Sequence, residues 1–197
     1  MPIAPFPRIP HVDPRWIDIV RHELALLAPT SGATAIDSLT GRLAAHALLP
    51  DAPRSAAFET TAYRRHLIAG GADDGYSCLL IAWPAGHRTP IHDHDGLWGI
   101  ELVLDGALEV QEFDVAGDPD APQPTHTRSL MLGIGDAAVF THRRYAHRCR
   151  NLSSTRAALS LHVYGGDLDR YRTFHADPHG HYNVRSRHAH VDAALAV

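Results

Sequence analysis

From residue 58 onward the sequence breaks into short apolar or alternating runs separated by Gly, Pro and Asp, at 61–68, 76–83, 89–94, 99–104, 107–113, 127–132, 137–141 and 157–164. Short strands at regular spacing with turn residues between them point to a β-sandwich or small barrel. Leu104-Asp105-Gly106-Ala107 carries the Asp-Gly pair of a two-residue hairpin turn. The stretch 114–126, with Gly117-Asp118-Pro119-Asp120, reads as a longer surface loop.

Two helices are expected ahead of the strands. Asp13-Pro14 supplies an N-cap and a first-turn proline, and Trp16, Ile17, Val20, Leu24 and Leu27 then keep helical spacing as far as Pro29. After Thr30-Ser31-Gly32, Ile36, Leu39, Leu43 and Ala47 share one face of a second helix that ends before Pro50. Residues 1–12 are proline-rich and are expected to run over the surface. The 197 residues suit one domain: a helical region at 1–55, a β-barrel at 58–175 and a His-rich segment at 176–197. The fold class is therefore mainly β with two N-terminal α-helices.

The net charge of −4 gives no reason to expect nucleic acid or an anionic membrane as partner. No apolar run approaches the ~18 residues of a membrane span. The first residues lack the basic and apolar regions of a secretory signal, and Cys78 and Cys149 do not make a disulfide framework. The expected location is cytoplasmic.

The chemistry concentrates in Pro84-Ala85-Gly86-His87-Arg88-Thr89-Pro90-Ile91-His92-Asp93-His94. On a strand, His92 and His94 point to the same face, and two imidazoles on one face are a ready pair of metal ligands. Further on, Ser160, His162 and Tyr164 alternate with Leu159, Leu161 and Val163. A hydroxyl, an imidazole and a phenol thus share one side of a strand whose other side is aliphatic, which befits a polar interior. The segment 175–190 holds five histidines, including His179-Gly180-His181 and His188-Ala189-His190. It lacks alternating apolar residues and reads as a solvated tail or loop.

These residues carry a resemblance. Gly86, five intervening residues, His92-x-His94 and Gly106 match the first cupin motif, except that its usual glutamate falls near Gly99. Gly135-Asp136 and His147, separated from Asn151 by three residues, fit the second motif. His142 is a weaker rival to His147 because it lacks the Asn spacing. Together with Trp83 and Ser160-x-His162-x-Tyr164, the chain resembles the thiol dioxygenase family of cupins, of which cysteine dioxygenase is the type member.

The resemblance implies a small β-barrel or jelly roll, and a mononuclear non-haem Fe(II) held by His92, His94 and His147. Three neutral imidazoles leave the ion's charge uncancelled and leave about three open positions for an anionic chelating ligand and dioxygen. It further implies a hydrogen-bonded row of Ser160, His162 and Tyr164 ending at the metal. A small thiol and O2 would be the partners and a sulfinic acid the product. Tyr63-x-Arg65 matches the cysteine type, in which the arginine binds the substrate carboxylate; related enzymes acting on 3-mercaptopropionate carry glutamine there. Alternation alone does not choose Arg65 over Arg64. Vertebrate members have a cysteine at the position of Gly99, cross-linked to the tyrosine, so Tyr164 is expected to be unmodified. They have prolines at the positions of Gly165 and Gly166. L-Cysteine is the expected substrate, with 3-mercaptopropionate as the alternative and a non-oxidative sensor or isomerase as the rival class. Arg170 and Arg172 follow closely enough to approach the substrate.

Overall fold

The computed structural model describes residues 12–27, 32–58, 61–118 and 121–194. Helices α1 (Pro14–Ala25) and α2 (Ala33–Ala47) come first. The strands β1 (Arg64–Gly71), β2 (Tyr76–Trp83), β3 (Ile91–His92), β4 (Gly99–Asp105), β5 (Leu108–Asp118) and β6 (Ala121–Leu132) follow. The chain closes with β7 (Ala137–Phe140), β8 (Tyr145–Asn151), β9 (Ala158–Tyr164), β10 (Arg170–Ala176), β11 (Tyr182–His188) and β12 (Ala193–Ala194). One six-stranded sheet has the order β12-β1-β2-β9-β4-β7, and the second has the order β11-β10-β3-β8-β5-β6. The expected mainly β architecture with two N-terminal helices is present.

Alternation along three neighbouring strands decides how the layers stack. Cys78, Leu80 and Ala82 of β2, Ile100, Leu102 and Leu104 of β4, and Leu159, Leu161 and Val163 of β9 form one apolar cluster with Trp16, Val20, Leu24, Leu39 and Leu43 of the helices. The helices therefore cover the outer face of the first sheet, where each large aliphatic taken from water contributes roughly 1.5–3 kcal/mol. The opposite residues of the same strands, Leu79, Ile81, Trp83, Val103, Ala158 and Tyr164, pack inward with Leu108, Val110, Phe140, Tyr145 and Cys149. Ser160, His162 and Glu101 share this inward parity and are each at most 2% exposed. A sheet covered on both faces is what makes that polar interior dry.

The cap of α1 is as read: the Asp13 side chain accepts from the Arg15 N–H, with Pro14 in the first turn. Leu27 lies beyond the end of this helix, and the stop at Pro29 and most of the proline-rich start fall outside the described residues. Glu23 joins the two helices through Arg42 and His46. The hydrogen bond from Arg42 leads the causes that hold the Glu23 carboxyl below its usual 4.5. A depressed folded-state pKa stabilises above the unfolded pKa and is lost as pH falls through the folded value. Glu23→Gln is therefore expected to destabilise the protein at neutral pH by about 1 kcal/mol or less. Thermal melts should show that difference vanishing on acidification; a difference that persists in acid would assign the effect to packing.

Four expectations need correction. The proposed loop at 114–126 is the outer part of the β5–β6 hairpin, with Asp114 opposite Thr125 and Gly117 opposite Pro122. Its prolines mislead because β6 is an edge strand, where a missing N–H can face away from the ladder. The segment 175–190 is not a tail: β10 pairs with β11 from Arg170↔His188 to Ala176↔Tyr182. As an edge strand exposed along most of its length, β11 offers only Tyr182 and Val184 as an apolar signal. The run expected as a strand at 89–94 pairs only at Ile91–His92, so His94 lies beyond the strand. Finally, β8 stands where no strand was expected. Its inward residues Tyr145, His147, Cys149 and Asn151 alternate, but His147 and Asn151 are polar and arginines stand between them at 148 and 150. Among the described residues no helix is long and apolar enough to cross a membrane.

Candidate metal centre

The centre forms where the ends of the two sheets meet. In the second sheet, β3 and β8 place His92 directly opposite His147. Two residues beyond His92 the chain turns toward the first sheet, with the Leu97 N–H donating to the His94 carbonyl and Asp95 and Gly96 at positive φ. This turn carries His94 against Phe140 and Tyr164, with ring centroids 4.6 and 4.8 Å away. Asp93, between the two histidines, is buried and accepts from the backbone N–H and Nε of Arg172 at 2.8 and 2.7 Å. Arg172 thus anchors the ligand segment; neither it nor Arg170 lines the cavity described below.

The Nε2 atom of His147 lies 3.1 Å from that of His92 and 3.2 Å from that of His94. Two nitrogens each ~2.1 Å from a metal are about 3.0 Å apart at a right angle and about 3.4 Å apart at the tetrahedral angle. The three imidazoles therefore fit one divalent ion on one face of its shell. Burial, followed by the neighbouring His147, pushes the His92 imidazole down to about 3 and that of His94 well below its usual value. Both are neutral at neutral pH, as ligands must be. The Nδ1–H of His92 donates to the Pro90 carbonyl at 3.0 Å, which leaves its Nε2 lone pair for the metal. His142 is exposed and stays outside this group. Among the described residues, the C-terminal histidines enter no such cluster either.

Beside the ligands runs a polar row. Trp83 Nε1–H donates to Ser160 Oγ at 2.8 Å, Ser160 Oγ meets His162 Nε2 at 2.8 Å, and His162 Nδ1 meets the Tyr164 hydroxyl at 3.1 Å. An indole N–H only donates, so Ser160 accepts from it and has its own O–H free to donate to His162 Nε2. In that arrangement the imidazole proton sits on Nδ1, which faces both the Tyr164 oxygen at 3.1 Å and Glu101 Oε1 at 3.3 Å. Tyr164 is left with its O–H for the cavity. Burial leads in pushing that phenol well above its ordinary value, so it stays a donor.

A cavity of about 210 Å³ opens above the histidines, lined by Tyr63, Arg65, His87, Tyr164, Leu168 and Tyr171 among others. It suits a molecule of a few heavy atoms. Tyr63 stacks on His87 at 4.8 Å and meets the edge of Trp83 at 5.0 Å. Of the two arginines that alternation left open, Arg64 pairs with Asp192 at 2.9 Å while Arg65 lines the cavity. The Arg65 backbone N–H donates to the same carboxylate at 2.9 Å, and its guanidinium reaches the His190 carbonyl at 3.4 Å. The C-terminal segment thus holds Arg65 in place.

Two glycines explain departures from the vertebrate pattern. Gly99 is the cross-strand neighbour of Tyr164, and a Cβ on it would come within 2.3 Å of the Phe140 ring. Gly165 gives its N–H to the Trp98 carbonyl at 2.9 Å and would meet the Trp98 indole at 2.1 Å if it carried a Cβ. Proline is excluded there on both counts.

Sequence reasoning missed Glu101, which is 2% exposed and sits beneath His147. Its signal was available: in Gly99-Ile100-Glu101-Leu102-Val103 it is a carboxylate on the inward parity of an apolar strand. Burial raises its pKa, but the His147 and His162 imidazoles that its two oxygens face outweigh this and hold it well below the usual range. The role of Asn151 was also unread. Its amide donates to the carbonyls of Pro84 and Arg156 at 3.0 and 2.9 Å, tying the end of β8 to the end of β2.

A family model described as cysteine dioxygenase type I matches residues 46–177. The chain is similar to cysteine dioxygenase type 1 of Danio rerio, with 29% identity over 132 residues covering 66% of this chain and 63% of that one. It is similar to cysteine dioxygenase type 1 of Rattus norvegicus at 28% identity, covering 60% and 58%. The match thus spans less than two thirds of these relatives' length. Among solved structures, a cupin superfamily protein of Desulfitobacterium hafniense aligns with a TM-score of 0.43 and 13% identity, covering 57% of this chain and 87% of that one.

Proposed function

This chain belongs to the cysteine dioxygenase type I family, and on that footing we propose that it is an iron-dependent thiol dioxygenase converting L-cysteine and O2 to cysteine sulfinic acid. The observation that carries this reading is the placement of three convergent imidazole Nε2 atoms, a phenol donor and a guanidinium around one small cavity. A mononuclear non-haem Fe(II) on His92, His94 and His147 would hold the thiolate beside O2 and supply the electrons that activate it. The protein's own share is positioning.

Arg65 binds the substrate carboxylate in a two-pronged pair, which a point charge could not orient as well. Held at that end, the sulfur lies toward the histidines. Tyr164 donates its O–H to an oxygen on the reacting side, and the fixed direction of the row from Trp83 keeps that proton pointed inward. The small size of the cavity limits access of a second thiol. Both atoms of one O2 end on one sulfur, RSH + O2 → RSO2H, and stop at the sulfinic rung of the oxidation ladder.

The test is oxygen uptake by the Fe(II)-loaded protein with L-cysteine and 3-mercaptopropionate in parallel, with products identified by mass. A gain of two oxygen atoms and a higher kcat/KM on cysteine is expected. No uptake with either thiol despite bound iron would move the protein to the sensor or isomerase class. Hydrogen bonds to charged groups are worth ~1.5–3 kcal/mol, so Arg65→Gln is expected to lower kcat/KM for cysteine about 10- to 100-fold. Oxidation of cysteamine, which has no carboxylate, should change little. An equal loss on both thiols would mean that Arg65 supports the site only structurally.

A further inference from the structure

Glu101 presents a problem that the proposed chemistry does not use or solve. Its carboxylate is buried on the inward face of β4, where an uncompensated charge is very costly. Oε2 lies 3.3 Å from His147 Nδ1 and accepts from Cys149 Sγ at 3.3 Å, while Oε1 lies 3.3 Å from His162 Nδ1. Among the described residues, the ion-pair partners recorded for it are these two imidazoles, with no Lys or Arg. One of them is a metal ligand and the other is the middle of the proton row. The carboxylate meets His147 on Nδ1, whereas the three histidines converge through Nε2, so it is not a ligand of that centre; Glu101, His147 and Cys149 themselves make a second, fully buried group close enough to hold an ion.

We propose that Glu101 is a positioning residue of the metal centre, whose two carboxylate oxygens hold the Nδ1 protons of His147 and His162 and so fix both imidazoles in the tautomers that the site requires. For His147, a proton on Nδ1 frees Nε2 for the metal and makes the ring a stronger donor. For His162, a proton on Nδ1 leaves Nε2 to accept from the O–H that Ser160 keeps free while it accepts from Trp83. One carboxylate thereby sets the metal's third ligand and the row that ends at Tyr164. It also returns to the centre, from behind His147, a negative charge that the glycine at position 99 withholds from the metal's own shell. Cys149 serves the same carboxylate as an S–H donor; its Sγ is 3.6 Å from His147 Nδ1, a longer contact that leaves Oε2 as the better acceptor.

A carboxylate can accept on both oxygens, whereas a carboxamide accepts on one and donates on the other. Glu101→Gln therefore forces a mismatch. If its N–H faces His147, that ring must carry its proton on Nε2 and loses the metal; if it faces His162, the row runs backwards. The inference rests on the three-histidine centre but not on thiol oxidation, and its test uses neither thiol nor O2. Co(II) is titrated into the wild type, Glu101→Gln and His147→Ala, following affinity and the visible spectrum. Affinity 10- to 100-fold weaker in Glu101→Gln, with an altered spectrum, is expected. Wild-type affinity and spectrum in that variant would overturn the proposal and leave the metal centre standing. Binding by His147→Ala as tight as wild type would overturn both.

If Glu101→Gln does not fold, the wild type decides. In the Zn(II)-loaded protein with 15N-labelled histidine, the protons of His147 and His162 should both couple to Nδ1. A proton on Nε2 of either ring would sink the idea.

Discussion

Replacing His147 by alanine should abolish iron binding and thiol-dependent oxygen uptake together. The imidazole is fully buried and lies opposite His92 across β3 and β8, with its Nε2 within 3.2 Å of the other two. Removing it leaves two ligands, only one of which sits on a strand, and among the described residues no other side chain joins them: Glu101 faces the far side of the vacated ring. The same change strips Glu101 of one of its two imidazole partners. A lost hydrogen bond to a charged group costs about 1.5–3 kcal/mol, so the apo protein should also melt earlier. Metal analysis and an oxygen electrode read the first effect, and a thermal melt the second. His142→Ala, at an exposed position, serves as the matched control and should change neither. Full iron content in His147→Ala would overturn the centre.

Tyr164→Phe should do the reverse, keeping the iron and losing turnover. The hydroxyl lines the cavity and touches the His162 imidazole, while the ring packs on His94. Phenylalanine preserves the ring and deletes only the donor. A well-placed proton donor contributes typically 10²–10⁴-fold, so kcat is expected to fall about 100-fold or more, with iron content and KM little changed. Because burial holds the phenol well above its ordinary pKa, the donor stays protonated as pH rises. An alkaline limb in the wild-type rate profile should therefore persist in Tyr164→Phe. Equal losses of iron and activity would make Tyr164 a packing residue only.

Much of this was legible in the sequence because the same alternation writes both the fold and the site. Ser160, His162 and Tyr164 betray a polar interior only because Leu159, Leu161 and Val163 face the helices. The same rule fails where inward residues are not apolar. β8 carries polar His147 and Asn151 inward beside Tyr145 and Cys149, so hydrophobic periodicity passes over a central strand. It fails again at edges: β6 keeps Pro122 and Pro124 buried in a paired strand, and β11 covers only Tyr182 and Val184, and those in part. Glu101 was unread for a different reason. Motif spacing directs attention to position 99, where the glutamate of other cupins stands, and the carboxylate here lies two residues further along the same face. The choice of Arg65 over Arg64 needed the fold, since it depends on Asp192, more than a hundred residues away.

Gly99 has one further consequence, for the chemical identity of the mature protein. The space beside Tyr164 is taken by Phe140, and the residue across the strand from it has no sulfur to offer. A thioether at that site would need a thiol that this chain does not encode. Protein recovered after many catalytic cycles should therefore have the same intact mass as protein that has never met substrate, and should run as one band. Progress curves should start at full speed, because there is no self-processing step to wait for.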